Sequence, residues 1–153
     1  MNDEAGDTAS KEAVAWARAC LDEACITVSG TGMLEGITFD ARVAWTLPNR
    51  IVIGQLRDTG PHLREFWVIS GEVPTDCIDA STSATPRDAA RHFALKWQLG
   101  AEQLRDPNSE RDPRVKALQN RETAADELQR VAAELYVLAD EDLAWKSALT
   151  NDA

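Results

Sequence analysis

The segment EFWVISGEVPTD, residues 65–76, decides the fold of this chain. Its first six residues, Glu65 to Ser70, are rich in aromatic and β-branched side chains, which fit the pleated surface of a strand, and Gly71 and Pro74 end the run. Because apolar residues occupy successive positions, both faces of the strand are expected to be covered. The segment therefore predicts an inner strand of a small sheet.

A helix with a well-marked start follows this strand. Thr85 supplies a hydroxyl N-cap, Pro86 occupies the first helical position, and Asp88 is a carboxylate three residues after the cap. Apolar residues then recur at steps of three and four, which places them on one stripe that packs on the sheet. That stripe consists of Ala90, Phe93, Trp97, Ala101 and Leu104.

The chain before residue 65 predicts one helix and two further strands. Ser10 is the expected N-cap of a helix that runs to about Cys25, with a packed stripe of Val14, Ala17, Leu21 and Ala24. A period of two predicts a strand over residues 37–46, with one buried face formed by Ile37, Phe39, Ala41, Val43 and Trp45. Pro48-Asn49-Arg50 forms a turn, and residues 51–56 return as the next strand, so the three strands predict an antiparallel meander.

A last long helix is predicted to start at Asp112-Pro113 and to bend near Asp140-Glu141-Asp142. Its apolar residues follow alternating steps of four and three: Ala117, Ala124, Leu128, Val131, Leu135, Leu138 and Trp145. Leu95 and Leu99 form a second stripe on the preceding helix. Either this last helix or a partner protein is expected to cover them.

These elements predict an α+β fold: an N-terminal helix, a three- or four-stranded mainly antiparallel sheet, and two C-terminal helices packed on it. With 153 residues and 44% hydrophobic content, one domain is expected. Its predicted range is residues 10–148, between a disordered tail at residues 1–9 and a short C-terminal tail at residues 149–153.

The net charge of −10, from 26 acidic and 16 basic side chains, argues against a nucleic-acid partner, because binding to phosphates needs a positive surface. No apolar run reaches the roughly 20 residues that span a bilayer. The polar first ten residues do not form a signal peptide, so a cytoplasmic protein without a membrane partner is expected. The cysteines, Cys20, Cys25 and Cys77, contain no C-x-x-C pair and are expected to be reduced.

Asp76, Cys77 and His92 come closest to a catalytic pattern. A Cys/His nucleophile pair also needs an orienting group and oxyanion donors, which no motif here identifies, so no catalytic residue is predicted. A small hydrolase or transferase that uses this region is the alternative hypothesis. Asp76 has a simpler expected role, which is to cap a short helical turn or close an Asx turn. The only two histidines, His62 and His92, lie in different elements, and no metal or cofactor is predicted.

Two segments, WVISGEVPTD at residues 67–76 and RHFALKWQL at residues 91–99, carry a resemblance. With Pro86-Arg87 between them and Glu134-Leu135-Tyr136 nearer the C-terminus, they resemble a family of uncharacterised bacterial proteins known only as a domain of unknown function. The resemblance covers most of the chain from about Trp16 onward. It implies a small bacterial cytosolic protein with an α+β fold, and it supplies no activity and no catalytic residues.

The favoured function is a non-enzymatic protein-binding module of adaptor or immunity type, in which acidic residues meet a basic partner. If Trp67 or Trp97 is exposed beside Arg87 and Arg91, these side chains form a recognition patch. The candidate binding residues are Trp67, Asp76, Arg87, Arg91, His92, Trp97 and Gln98. The expected oligomeric state is a monomer, or a homodimer through the exposed part of the last helix.

Overall fold

The structure is a computed structural model that describes residues 3–30, 39–60, 63–106 and 121–146. The elements in chain order are α1 (Asp3–Ser29), β1 (Phe39–Leu47), β2 (Ile51–Asp58), β3 (Glu65–Gly71), β4 (Asp76–Asp79), a 3-10 turn (Ala80–Thr82), α2 (Pro86–Arg105), α3 (Arg121–Ala139) and α4 (Asp142–Lys146). The four strands are antiparallel neighbours in the order β1-β2-β3-β4. The α+β class, the meander and the inner position of β3 are confirmed.

Two apolar clusters lie on opposite faces of this sheet. Successive side chains of a strand point to opposite faces, and in β3 Phe66 and Val68 belong to one cluster while Trp67 and Ile69 belong to the other. The first cluster also contains buried residues of α1, and the second contains buried residues of α2 and α3. The fold is therefore a three-layer arrangement, with α1 on one side of the sheet and the C-terminal helices on the other.

Helix α1 runs from Asp3 to Ser29. It therefore begins before the predicted N-cap at Ser10 and ends after the predicted end near Cys25. Among the α1 residues whose side chains the structure describes, the buried stripe consists of Ala13, Ala17, Leu21, Ala24 and Val28, whereas Val14, a predicted stripe residue, is 53% exposed. The helix lies close to the sheet at Gly54, where a Cβ would collide with the side chain of Leu21. No helix of the described residues, α1 included, combines the length and the apolar character needed to cross a membrane. The predicted domain range and tails stay predictions.

Strand β1 contains an irregularity that overturns the predicted position of Trp45. Val43 pairs with Gly54 and Trp45 pairs with Ile53, so Ala44 is an extra residue on this strand. A bulge shifts the two-residue alternation by one position. Phe39, Ala41 and Val43 accordingly pack on the α1 side, whereas Trp45 packs on the side of α2 and α3. The part of the prediction that concerns Ile37 lies outside the described residues.

Helix α2 begins as predicted, since the Thr85 side chain accepts a hydrogen bond of 3.1 Å from the backbone N–H of Asp88. Phe93 and Trp97 are buried, but Leu95 is 53% exposed. Leu99 on the same stripe is 56% exposed. Within the described residues, therefore, the last helix does not cover this stripe, and the expectation that it does is wrong. Helix α3 packs beside the Phe93 stripe instead, and both helices meet the same face of the sheet.

The predicted bend near Asp140 is a complete break between α3 and α4. The predicted start at Asp112-Pro113 lies outside the described residues. After the break, Trp145 stacks on Trp45 with ring centroids 4.0 Å apart. The Trp145 indole N–H donates to the carbonyl of Leu138 at 3.0 Å, and that of Trp45 donates to the carbonyl of Ala144 at 3.1 Å. The stack thus fixes α4 over the bulged end of β1.

Candidate functional site

Asp76 stands at the start of β4 and ties α2 to the edge of the sheet. Its Oδ1 accepts a hydrogen bond of 2.8 Å from the Nζ of Lys96, and its Oδ2 accepts one of 3.0 Å from the indole N–H of Trp97. The backbone N–H of Cys77 also donates to Oδ1, at 2.8 Å. The carboxylate is therefore engaged by α2 and by its own strand.

The capping role that the sequence predicts for Asp76 belongs to Asp79. The Oδ1 of Asp79 accepts a hydrogen bond of 2.9 Å from the backbone N–H of Ser81 and so caps the 3-10 turn. This hydrogen bond lowers the pKa of Asp79, and the nearby charge of Arg64 acts in the same direction.

Replacing Asp76 by alanine is expected to lower the free energy of unfolding by about 1–3 kcal/mol, because the indole N–H of buried Trp97 loses its acceptor. Asp76→Asn keeps one acceptor oxygen for the indole N–H of Trp97 but loses both the charge and the acceptor that face Lys96, so its cost is expected to be smaller than that of Asp76→Ala. Urea denaturation of the two variants measures the difference. If Asp76→Ala unfolds at the same urea concentration as the unmodified protein, the carboxylate is not structural and becomes a candidate for ligand binding.

The structure does not bring Cys77 and His92 together. Cys77 is 4% exposed and packs in the cluster on the α1 side of the sheet, whereas His92 is exposed on α2, which covers the opposite side. Burial raises the pKa of the Cys77 thiol, and the charge of Asp76 raises it further against the opposing effect of Lys96. A raised pKa keeps the group a thiol at neutral pH, and the thiol is the weaker nucleophile. The hydrolase or transferase hypothesis therefore loses its nucleophile pair.

The recognition patch expected around the tryptophans depends on an exposure that the structure does not show. Trp67 and Trp97 are each 4% exposed. The indole N–H of Trp67 donates to the carbonyl of Ser83 at 2.9 Å, and that of Trp97 donates to Asp76. Both polar atoms are thus used within the fold, as is usual for buried tryptophans.

Arg87 and Arg91 project from α2 to the junction between α3 and α4. The Nε of Arg87 donates to the carbonyl of Ala139 at 2.5 Å, and another of its nitrogens donates to Asp142 at 2.7 Å. This hydrogen bond lowers the pKa of Asp142. Arg91 lies 3.7 Å from a carboxylate oxygen of Asp140. The two arginines therefore hold the helix break in place, at a distance in the fold from Asp76.

The predicted candidates thus do not form one site. Asp76 and Trp97 contact each other, Trp67 lies in the same apolar cluster as Trp97, and the arginines serve the helix junction. His92 is exposed and Gln98 is half-buried on α2. Whether any of these residues binds a ligand stays a prediction.

A groove that sequence reasoning missed lies where β1 turns into β2. It has a volume of about 370 Å³, within the roughly 300–1,000 Å³ typical of ligand pockets, and lies between this turn, the segment after β3 and helix α3. Its apolar lining consists of Leu47, Ile51, Val73, Val131, Leu135, Val137 and Leu138. Its charged rim consists of Arg50, Glu72, Arg130, Glu134 and Glu141.

Carboxylates outnumber guanidinium groups around this rim. Arg50 lies 3.5 Å from Glu72, and Arg130 is shared between Glu134, at 2.8 Å, and Glu127 just outside the groove. Within the described residues, Glu141 has no ion-pair partner. The rim carries excess negative charge, although no three potential metal ligands converge anywhere in the described parts of the chain.

A glycine in an unusual conformation shapes one wall of the groove. Gly71 has a φ of 118°, a conformation that side-chain-bearing residues rarely adopt, and a Cβ there would collide with the backbone carbonyl of Arg50. The close approach lets the backbone N–H of Glu72 donate to the carbonyl of Arg50 at 2.7 Å. The side chains of Arg50 and Glu72 are thereby placed next to each other on the rim.

One sequence signal points to this groove. Val137 lies off the predicted buried stripe of α3 and is 64% exposed, as an apolar residue on the polar side of an amphipathic helix. No other part of the groove has a local signature, because its walls come from three separate segments of the chain.

Comparison with known proteins finds one family. The family model described as "Domain of unknown function (DUF4826)" matches residues 10–145. This range begins within α1, contains all four strands and ends at Trp145, the residue that stacks on Trp45. No curated protein and no solved structure matches the chain.

Proposed function

The chain belongs to the DUF4826 family, a domain of unknown function, and from this premise we propose that it is a non-enzymatic protein-binding module. The observation that carries the proposal is the open groove beside α3, with its apolar lining and charged rim. Protein interfaces combine an apolar centre with a polar rim in this way. An adaptor or immunity-type role in the bacterial cytoplasm is the concrete form of the proposal.

The exposed apolar side chains of α3 support this assignment. Val137 lines the groove and is 64% exposed, and the neighbouring Tyr136 is 45% exposed. Arginine is enriched among the residues that dominate binding energy, and Arg50 and Arg130 stand on the groove rim. A partner that docks here covers apolar surface that the chain otherwise leaves in water.

Charge supports a protein partner with a basic surface. The chain has a net charge of −10, and the groove rim has more carboxylates than guanidinium groups. Opposite charge on the partner steers the encounter and accelerates association, most strongly at low salt.

Affinity purification from the native host, with mass spectrometry of the recovered proteins, tests the proposal. Val137→Lys replaces an apolar side chain of the lining with a cation that repels a basic partner, and a stoichiometric partner of the unmodified protein is expected to be recovered at least tenfold less, about 1.4 kcal/mol of binding free energy. Because Val137 is largely exposed, the variant is expected to fold, which circular dichroism checks.

Ile26→Lys is the matched control, since Ile26 is 75% exposed on α1, on the other side of the sheet. This variant is expected to recover the partner as the unmodified protein does. Failure of the unmodified protein to recover any stoichiometric partner at low salt contradicts the proposal. Equal recovery by the Val137→Lys and unmodified proteins contradicts the placement of the binding site in the groove.

A further inference from the structure

We propose that the groove binds a short peptide segment of the partner, with one apolar side chain flanked by lysine or arginine. The inference rests on the proposed function and names the chemical class of the ligand. The lining of the groove is the evidence for the apolar side chain of the ligand, and the balance of charges on the rim is the evidence for its basic residues.

The lining of the groove favours an apolar side chain of the ligand, which is called the anchor below. Ile51, Val131 and Leu135 form the floor of the groove and are only 7%, 9% and 1% exposed. The apolar surface that a ligand can reach therefore belongs mainly to the half-buried Leu47, Val73 and Leu138 and to Val137, which is 64% exposed. These are aliphatic side chains, which offer an incoming residue van der Waals contact and no hydrogen bonds. An aliphatic or aromatic side chain of the ligand gains most from this environment, because it leaves water without losing a polar partner.

The charges of the rim favour a cation of the ligand next to the anchor. Both arginines of the rim are already paired, Arg50 with Glu72, and Arg130 with Glu127 and Glu134. Glu141 has no ion-pair partner among the described residues, so a lysine or arginine of the ligand can pair with it without displacing an existing contact. Arg130 pairs with two carboxylates, Glu127 and Glu134, so its single positive charge does not neutralise both of them. A second cation of the ligand is therefore also attracted to this pair of carboxylates.

The same charges disfavour other occupants. An acidic peptide or a phosphate group has to break one of the existing arginine pairs and then faces the remaining carboxylates. A second copy of this chain that docks through the same groove brings two acidic rims together, which like-charge repulsion opposes. A basic segment meets neither obstacle.

Four sets of short synthetic peptides test the proposal by fluorescence anisotropy with the full-length protein. The first set has a leucine flanked by lysine and arginine; the second has glutamate in place of the basic residues, and the third has serine there. The fourth keeps the basic residues and replaces the leucine with serine. The first set is expected to bind at least tenfold more tightly than each of the others, and added salt is expected to weaken it.

Variants of Glu141 locate the basic contact. Glu141→Gln is expected to weaken binding of the leucine-centred basic peptides severalfold, and Glu141→Lys is expected to reduce their advantage over the acidic set still further. Glu23→Gln removes a charge from the exposed face of α1 and serves as the control, with unchanged affinity expected. Unchanged affinity in both Glu141 variants overturns the proposal.

Other outcomes also decide against the inference. Equal binding of the basic, neutral and acidic leucine peptides, or no binding of any peptide, shows that the groove does not take this class of ligand. The proposed function has its own readout in the host purification: a partner that is lost with Val137→Lys supports the binding module even when the peptide series fails.

Discussion

Replacing Phe93 by alanine is expected to lower the free energy of unfolding by about 3–5 kcal/mol. Phe93 is fully buried on α2, lies 6.0 Å from Trp97 between ring centroids, and belongs to the cluster in which α2 and α3 meet the sheet. Truncation removes apolar contacts within this cluster and leaves a cavity that packed neighbours refill only in part. Urea denaturation, followed by tryptophan fluorescence, measures the effect.

Leu95→Ala is the matched control, because Leu95 lies two residues away on the same helix and is 53% exposed. Its expected effect is within about 0.5 kcal/mol, as for ordinary surface substitutions. A cost for Leu95→Ala close to that of Phe93→Ala contradicts the exposure of the second stripe. Dependence of that cost on protein concentration then identifies self-association as its source.

The second large effect is expected from Gly71→Ala. A side chain at a φ of 118° costs about 1–3 kcal/mol in backbone strain. The collision of the new Cβ with the carbonyl of Arg50 adds a further cost of about 1–3 kcal/mol, since closely packed surroundings yield only in part. Because Arg50 and Glu72 stand on the groove rim, the substitution is also expected to weaken partner binding.

Gly30→Ala is the control for this substitution. A Cβ at Gly30 meets the carbonyl oxygen of Thr27 at 3.4 Å, which is ordinary van der Waals contact. Its expected effect on the free energy of unfolding is within about 0.5 kcal/mol. Equal denaturation midpoints for the two variants contradict the close approach between Gly71 and Arg50 on which one wall of the groove depends.

Local signals in the sequence were sufficient where the structure depends on neighbours along the chain. The N-cap at Thr85 requires only its own residues, and it is observed with Asp88 as the donor of the backbone N–H. The inner position of β3 follows from its run of apolar residues, which is confirmed by burial on both faces. The family resemblance carried by residues 67–76 and 91–99 is likewise confirmed at the level of the family.

Predictions failed where a local pattern has two tertiary solutions. Trp45 follows the alternation of β1 up to Val43, but the bulge at Ala44 moves it to the other face, and no residue type announces that bulge. Leu95 and Leu99 have the spacing of a packed stripe, yet α3 lies beside a different stripe of α2. Spacing identifies a face of a helix or strand, but it does not identify what covers that face.

The candidate site residues also show the difference between what local sequence patterns predict and what only tertiary contacts decide. The sequence predicts Asp76 and Trp97 as candidate binding residues, but the hydrogen bond between them, which gives each a structural role, joins residues far apart in the chain. The groove was missed because Arg50, Glu72 and Glu141 come from separate segments, and only folding places them on one rim.

By itself, the amino-acid sequence determined the α+β class, the antiparallel meander of β1, β2 and β3, the start of α2 and the acidic charge of this protein. These properties depend on composition, on short-range periodicity and on capping residues, which act within a few positions of the chain. Only the tertiary structure decided which apolar stripes are covered, how the sheet separates Cys77 from His92, and where the groove lies. Those outcomes depend on packing between distant segments, where small changes in register or helix position exchange one set of contacts for another.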